Sequence, residues 1–89
     1  MNHRKHMERV LKSIANSRRI FILKYLSGRD EASVGDIAEH LKLSFRSTSR
    51  HLGILTSADL IERRQSGTAV YCSITRPLPG FVSTVLQEW

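Results

Sequence analysis

Apolar residues recur at helical spacing over roughly the first two thirds of the chain and then at the alternating spacing of strands. The helical part predicts four helices, which cover about residues 4–15, 17–27, 33–41 and 45–57. The alternating part predicts a hairpin of two strands, about 61–65 and 69–75, with the turn signal Ser66-Gly67 between them. Pro77 and Pro79 end the hairpin, and a last short helix follows Gly80.

Short polar residues mark where these helices begin. Asn16-Ser17 interrupts the first apolar pattern and offers an N-cap for the second helix, which Gly28 ends. Ser33 and Ser44 are the expected N-caps of the third and fourth helices, and residues 29–32 form a polar connector. The predicted fold class is mainly α with a small β-hairpin, in one domain over residues 1–89.

The third and fourth helices are joined by a three-residue turn, which is the spacing of a helix-turn-helix. One face of the fourth helix is expected to pack on the core, and it consists of Thr48, Leu52 and Leu55 with Phe45 and His51 at its edges. The opposite face is basic and rich in hydroxyls, since it carries Arg46 and Arg50 flanked by Ser47 and Ser49. Arginine pairs with guanine through two hydrogen bonds, and serine serves bases or phosphates.

A basic hairpin follows this helix and has the form of a wing. A two-stranded wing with a basic tip lies along the DNA backbone or in a minor groove, whereas a purely structural hairpin only completes a small sheet. Both roles are compatible with the sequence. The pattern therefore predicts a winged helix-turn-helix that binds double-stranded DNA. The expected DNA contacts are Ser44, Arg46, Ser47, Ser49, Arg50, Arg63, Arg64, Gln65 and Thr68.

Composition narrows the function classes. The 89 residues carry 14 Lys+Arg against 8 Asp+Glu, for a formal charge of +6. The chain is too short for a doubly wound fold, and it has no phosphate loop, nucleophile elbow or paired-acid motif, so an enzyme is not expected. No apolar run approaches the roughly 20 residues that span a bilayer. A single cysteine, Cys72, favours a reducing, cytoplasmic location.

The excess positive charge is concentrated in two blocks. Residues 1–24 sum to +6 and residues 42–76 to +4, whereas residues 25–41 sum to −3 and the remainder to −1. The basic first block and the wing are therefore expected to neutralise phosphates.

Several segments together resemble the ArsR/SmtB family of small winged-helix transcriptional repressors, over about residues 10–74. The matching segments are Leu11-Lys-Ser-Ile-Ala-Asn-Ser-Arg-Arg-Ile-Phe-Ile-Leu23, Val34-Gly-Asp-Ile-Ala-Glu-His-Leu41, Leu43-Ser-Phe-Arg-Ser-Thr-Ser-Arg-His-Leu52 and Gly67-Thr-Ala-Val-Tyr71. The resemblance implies a homodimer that binds a palindromic operator through its recognition helices and wings. It also implies an interface from the first and last helices, here Met7, Val10, Leu11, Ile14, Phe81, Val82, Val85, Leu86 and Trp89.

The chain departs from the metal sensors of that family. Where such sensors often place a Cys-x-Cys pair, this chain has Ser33 and Gly35, and its last helix has neither Asp nor His. No family-type metal site and no cofactor are expected.

Other sensing chemistry stays open in the sequence. His3 and His6 lie one helical turn apart, a spacing that is compatible with metal binding. Cys72 is expected to be a buried structural thiol, with a redox role as the alternative. His40 is expected on an exposed face, and His51 in packing or phosphate contact. A protein-docking winged helix is the alternative to DNA binding, and it would show an exposed apolar patch on the fourth helix, where the sequence offers only Ile54.

Overall fold

The computed structural model describes residues 2–89. The helices in this part of the chain are α1 (His3–Ile14), α2 (Ser17–Ser27), α3 (Val34–Leu41), α4 (Phe45–Ser57) and α5 (Gly80–Glu88). The strands are β1 (Ala32–Ser33), β2 (Ile61–Ser66) and β3 (Ala69–Ile74). The predicted order of four helices, a hairpin and a last helix is confirmed, as is the mainly helical fold class.

Side chains cap the helices that were expected to carry caps. The Asn16 side chain accepts a hydrogen bond from the Arg19 amide at 3.1 Å, and this bond begins α2. Ser33 accepts one from the Asp36 amide at 3.0 Å and begins α3. The helix-turn-helix bend after α3 is made by Lys42, which adopts the left-handed conformation with φ of 56°.

The prediction of a polar connector over residues 29–32 needs one correction. Its last residue belongs to β1, which pairs antiparallel with β3 and places Ala32 opposite Cys72. The three strands are ordered β1-β3-β2. A strand of two residues is too short to show alternation, so its pairing depends on β3 and not on its own sequence.

One apolar core joins the helices to the sheet. Leu23 and Leu26 of α2, Leu52 and Leu55 of α4, and Val82 of α5 are fully buried within it. Of residues 2–89, no helix combines the length and the apolarity needed to cross a bilayer.

Candidate nucleic-acid interface

The orientation of α4 follows from its buried face. Thr48, Leu52 and Leu55 are buried, as the projection predicted. The Thr48 hydroxyl donates to the Ser44 carbonyl at 2.9 Å, so this buried polar group is satisfied inside the helix's first turn. Arg46 and Arg50 are consequently held on the exposed side of the helix.

Arg46 and Arg50 have no intramolecular hydrogen bond or ion pair within residues 2–89. Their guanidinium groups are therefore available to a ligand. Ser47 and Ser49 are half-buried beside them. A planar guanidinium presents donors in a fork that suits guanine edges and phosphate oxygens.

Two further arginines, which belong to the basic first block but not to the residues predicted as DNA contacts, join the same surface. Arg18 and Arg19, at the start of α2, line a cleft of about 490 Å³ together with Ser44, Arg46, Ser47 and Arg50, which we call the arginine cleft. Four guanidinium groups around one open cleft make a strongly positive site. The available signal was the pair of adjacent arginines that follows Asn16-Ser17, within the more basic of the two charge blocks.

Arg19 links α2 to α4. Its Nε donates to the Ser13 carbonyl at 2.6 Å, and its second guanidinium nitrogen donates to the Lys12 carbonyl at 3.3 Å. The remaining nitrogen lies 3.3 Å from Nδ1 of His51. Because arginine is only a donor, this contact needs a neutral His51 ring whose Nδ1 accepts.

The environment of His51 also favours its neutral form. Burial lowers the pKa of His51 below its ordinary value, and the positive charges of Arg19, Arg18 and Arg50 lower it further, in that order. Burial of Arg19 itself, together with the positive charge of Arg50, lowers the pKa of Arg19. His51 is thus a neutral acceptor that positions Arg19 at the edge of the cleft.

The His51 ring should titrate below 6.5 in an NMR pH titration of the free protein. A histidine with a lowered folded-state pKa binds protons more weakly when folded, so stability falls as the pH drops through the unfolded value of about 6.5. When the pH is lowered from 7.5 to 5.5, we expect the melting temperature of His51→Gln to fall by less than that of the parent. As a check, Arg19→Gln should raise the His51 midpoint. A parent midpoint at or above 6.5 would contradict this description.

The two serine caps of the helix-turn-helix form a matched pair. Ser33 accepts from the Asp36 amide and Ser44 accepts from the Ser47 amide, both at 3.0 Å. Replacing either serine by alanine should cost about 1 kcal/mol of unfolding free energy in urea denaturation, because each change removes one cap. Only Ser44→Ala should also weaken DNA binding, since Ser44 lines the arginine cleft. Equal DNA affinities of the two variants would rule out a DNA contact by Ser44.

The wing is an exposed hairpin whose tip contains Gly67 in the left-handed conformation with φ of 61°. Arg63, Gln65 and Thr68 are exposed on it. Arg64 is engaged differently, because it makes two hydrogen bonds to the Glu31 carboxylate, at 2.7 and 3.3 Å, and lies 5.0 Å from the centre of the Tyr71 ring. Arg64 therefore also fastens the wing to the segment that leads into β1.

The predicted dimer residues divide into two groups. Val10, Ile14, Val82 and Leu86 are buried in the protomer's own core, and their part in an interface stays a prediction. Phe81 and Val85 are half-buried against that core. Met7, Leu11 and Trp89 are exposed, and exposed Phe21 packs edge to face on Trp89 with ring centres 6.2 Å apart. The helical pattern of α1 and α5 could not separate buried from exposed apolar side chains, and the exposure of Phe21 was not predicted.

The residues considered for sensing, which are the histidines and Cys72, do not form a common site in the described part of the chain. His6 faces Asp59, at 3.8 Å between Nδ1 and the carboxylate, and residues 2–89 contain no cluster of three or more metal-ligating side chains. His40 is exposed and its ring stacks on Tyr25, with ring centres 4.3 Å apart. Cys72 is fully buried as a free thiol, and burial raises its pKa. A raised pKa disfavours the thiolate that redox chemistry requires.

Comparison with known proteins points to one family. Residues 16–63 match the profile of the bacterial regulatory proteins of the arsR family. The chain is 39% identical over 82 residues to the transcriptional repressor SdpR of Bacillus subtilis, which covers 92% of this chain and 82% of that protein.

Solved structures of similar proteins share the whole fold. HlyU of Vibrio cholerae superposes with a TM-score of 0.79 at 28% identity, over 99% of this chain and 92% of that one. A homodimeric winged helix-turn-helix DNA-binding domain from Mycobacterium bovis superposes with a TM-score of 0.78 at 31% identity, over 94% of this chain and 74% of that one. The winged helix-turn-helix architecture expected from the sequence is thereby confirmed.

Proposed function

Because the chain belongs to the ArsR family of bacterial regulatory proteins, and is thus a DNA-binding transcriptional regulator and not an enzyme, we propose that it is a homodimeric repressor of a palindromic operator. The observation that carries this proposal is the pair Arg46 and Arg50, which have no partner among residues 2–89 and lie on the exposed face of a capped helix. The repressor function named for the Bacillus relative and the homodimer named for the Mycobacterium domain support it.

In the proposed complex α4 lies in the major groove. Arg46 and Arg50 contact guanine edges, and the hydroxyls of Ser44, Ser47 and Ser49 contact bases or phosphates. Each good arginine–guanine pair is worth about 1–3 kcal/mol of discrimination against another base.

The wing and the start of α2 hold the backbone. Arg63, Gln65 and Thr68 on the exposed wing contact phosphate or the minor groove, and Arg64 joins them while it keeps its pair with Glu31. On the other side of α4, Arg18 is placed to neutralise a phosphate that enters the arginine cleft. Arg19 is held back by two carbonyls and His51, so its main role is to position the cleft wall.

The exposed apolar side chains of the terminal helices suit a two-fold interface. Met7 and Leu11 of α1, Phe21 of α2 and Trp89 after α5 would be covered by a second copy. A dimer would place its two α4 helices in successive major grooves, about 34 Å apart.

The proposed repressor does not use the thiolate site of the family's metal sensors. Ser33 and Gly35 stand where such sensors carry cysteines, so the residues present do not fit a soft metal at that place. The last helix likewise offers only Glu88 as an ionisable side chain.

Selection of duplexes from a random library by the purified protein tests this proposal. The expected result is an inverted repeat whose half-sites are centred about 10–10.5 base pairs apart or a multiple of that distance. Enrichment of no duplex would overturn the proposal and favour a protein-docking domain. Enrichment of a single half-site would overturn the two-fold arrangement.

A further inference from the structure

Phe45 is an exposed aromatic residue at an unusual place. It is the first residue of α4, and 62% of its surface is exposed, the highest value among the large hydrophobic side chains of residues 2–89. The sequence placed this ring at the edge of the core-facing side of the helix. The structure corrects that expectation, because the ring lies outside the core.

The position of Phe45 separates it from the other exposed apolar side chains. Those belong to α1, to α2 and to the residue after α5, where a second copy is proposed to cover them. Phe45 stands instead between Ser44 and Arg46, both of which line the arginine cleft. Its neighbours in the chain thus belong to the surface proposed to face DNA.

The side chain at the first position of a helix points beyond the helix N-terminus. Every Cα–Cβ bond in an α-helix tilts toward the N-terminus, so the Phe45 ring extends from the leading end of α4. In a helix-turn-helix it is the N-terminal residues of the recognition helix that reach the base edges. The major groove offers such a ring one apolar feature, which is the C5-methyl group of thymine.

We propose that Phe45 is a specificity-determining residue that packs against the C5-methyl group of a pyrimidine, thymine in unmodified DNA, in each half-site. This inference rests on the proposed function, because it requires α4 to lie in the major groove. It adds an apolar reading of one base to the hydrogen-bonded readings assigned to Arg46 and Arg50.

Deoxyuridine substitution isolates the methyl group, since uracil pairs as thymine does but lacks it. The probe is the duplex selected from the random library, with the thymines replaced symmetrically, one position per half-site at a time. At one position the parent protein should lose about 15-fold in Kd, which is about fourfold per half-site for one buried methyl group. Phe45→Ala should bind the unmodified duplex more weakly by at least this factor and should show no further loss with deoxyuridine.

Two matched tests complete the design. Phe45→Leu keeps an apolar side chain and should retain most of the sensitivity to the methyl group. The second test compares duplexes that carry cytosine or 5-methylcytosine at the same position. The 5-methyl group should increase the affinity of the parent about fourfold per half-site and should leave the affinity of Phe45→Ala unchanged.

The outcomes separate this inference from the proposed function. If the parent binds the duplex but no thymine position responds to deoxyuridine, methyl reading is overturned while DNA binding stands. Methyl reading is also overturned if Phe45→Ala still shows the full loss on deoxyuridine substitution. The variant would then weaken binding to the thymine and uracil duplexes by the same factor, as the removal of a ring inserted between base pairs would. If the parent selects no duplex, it is the proposed function that fails.

Discussion

An Arg50→Ala variant is expected to bind the selected operator duplex about 30-fold more weakly or worse, while its binding to an unrelated duplex changes little. The reason is that Arg50 has no partner to lose in the described part of the chain, so the change removes only what Arg50 contributes to a ligand. One arginine–guanine pair per half-site is worth about 1–3 kcal/mol, and a dimer loses two. Fluorescence anisotropy on both duplexes at one salt concentration measures the difference.

Arg76→Ala is the matched control for Arg50→Ala. Arg76 follows β3 at the end away from the wing tip, and its guanidinium donates a hydrogen bond to the Ser27 carbonyl at 3.5 Å. Removing it changes the net charge by the same amount, so any loss common to both variants is a charge effect. If Arg50→Ala loses affinity equally for the two duplexes, Arg50 touches phosphate and does not read a base.

The second large effect is expected from Leu11→Asp, which should convert the proposed dimer to a monomer. Leu11 is 50% exposed on α1 and contributes nothing to the core, so the protomer should still fold. A carboxylate without a partner in an apolar contact costs several kcal/mol, which raises the dimer dissociation constant by about 100-fold or more. Sedimentation equilibrium should show the mass fall from twice the chain's 10.2 kDa to that value.

Lys5→Asp is the control for this change. Lys5 is an exposed residue of the same helix on its polar side, so it introduces the same carboxylate away from the apolar side chains. Lys5→Asp should leave the mass unchanged. Leu11→Asp should in addition bind the operator weakly, because each monomer contacts only one half-site. A Leu11→Asp protein that remains dimeric would place the interface on other helices.

Local signals explain which parts of the fold the sequence predicts well. The caps at Asn16, Ser33 and Ser44 and the apolar period of α4 act over a few residues, so the helix-turn-helix and its exposed basic face could be predicted closely. The strand β1 could not, because its two residues acquire their conformation from pairing with β3.

Long-range contacts account for the rest. The Arg19–His51 contact joins residues 32 positions apart, and the Arg64–Glu31 pair joins residues 33 apart, so neither has a signature in the local pattern. For the same reason, the apolar stripes of α1 and α5 do not reveal that Val10 and Val82 are buried while Leu11 and Trp89 are exposed. Helical period identifies an apolar face, but not whether a protomer or its partner covers it.

Sequence-specific recognition by the basic surface is tested by the salt dependence of binding to the selected duplex and to a scrambled duplex of the same composition. We expect a Kd at least about 10³-fold lower for the selected duplex at physiological salt. We also expect log K to fall linearly with log salt concentration, with a slope of about −0.9 for each phosphate neutralised. Equal affinity for the two duplexes, or binding that does not respond to salt, would contradict sequence-specific recognition by this basic surface.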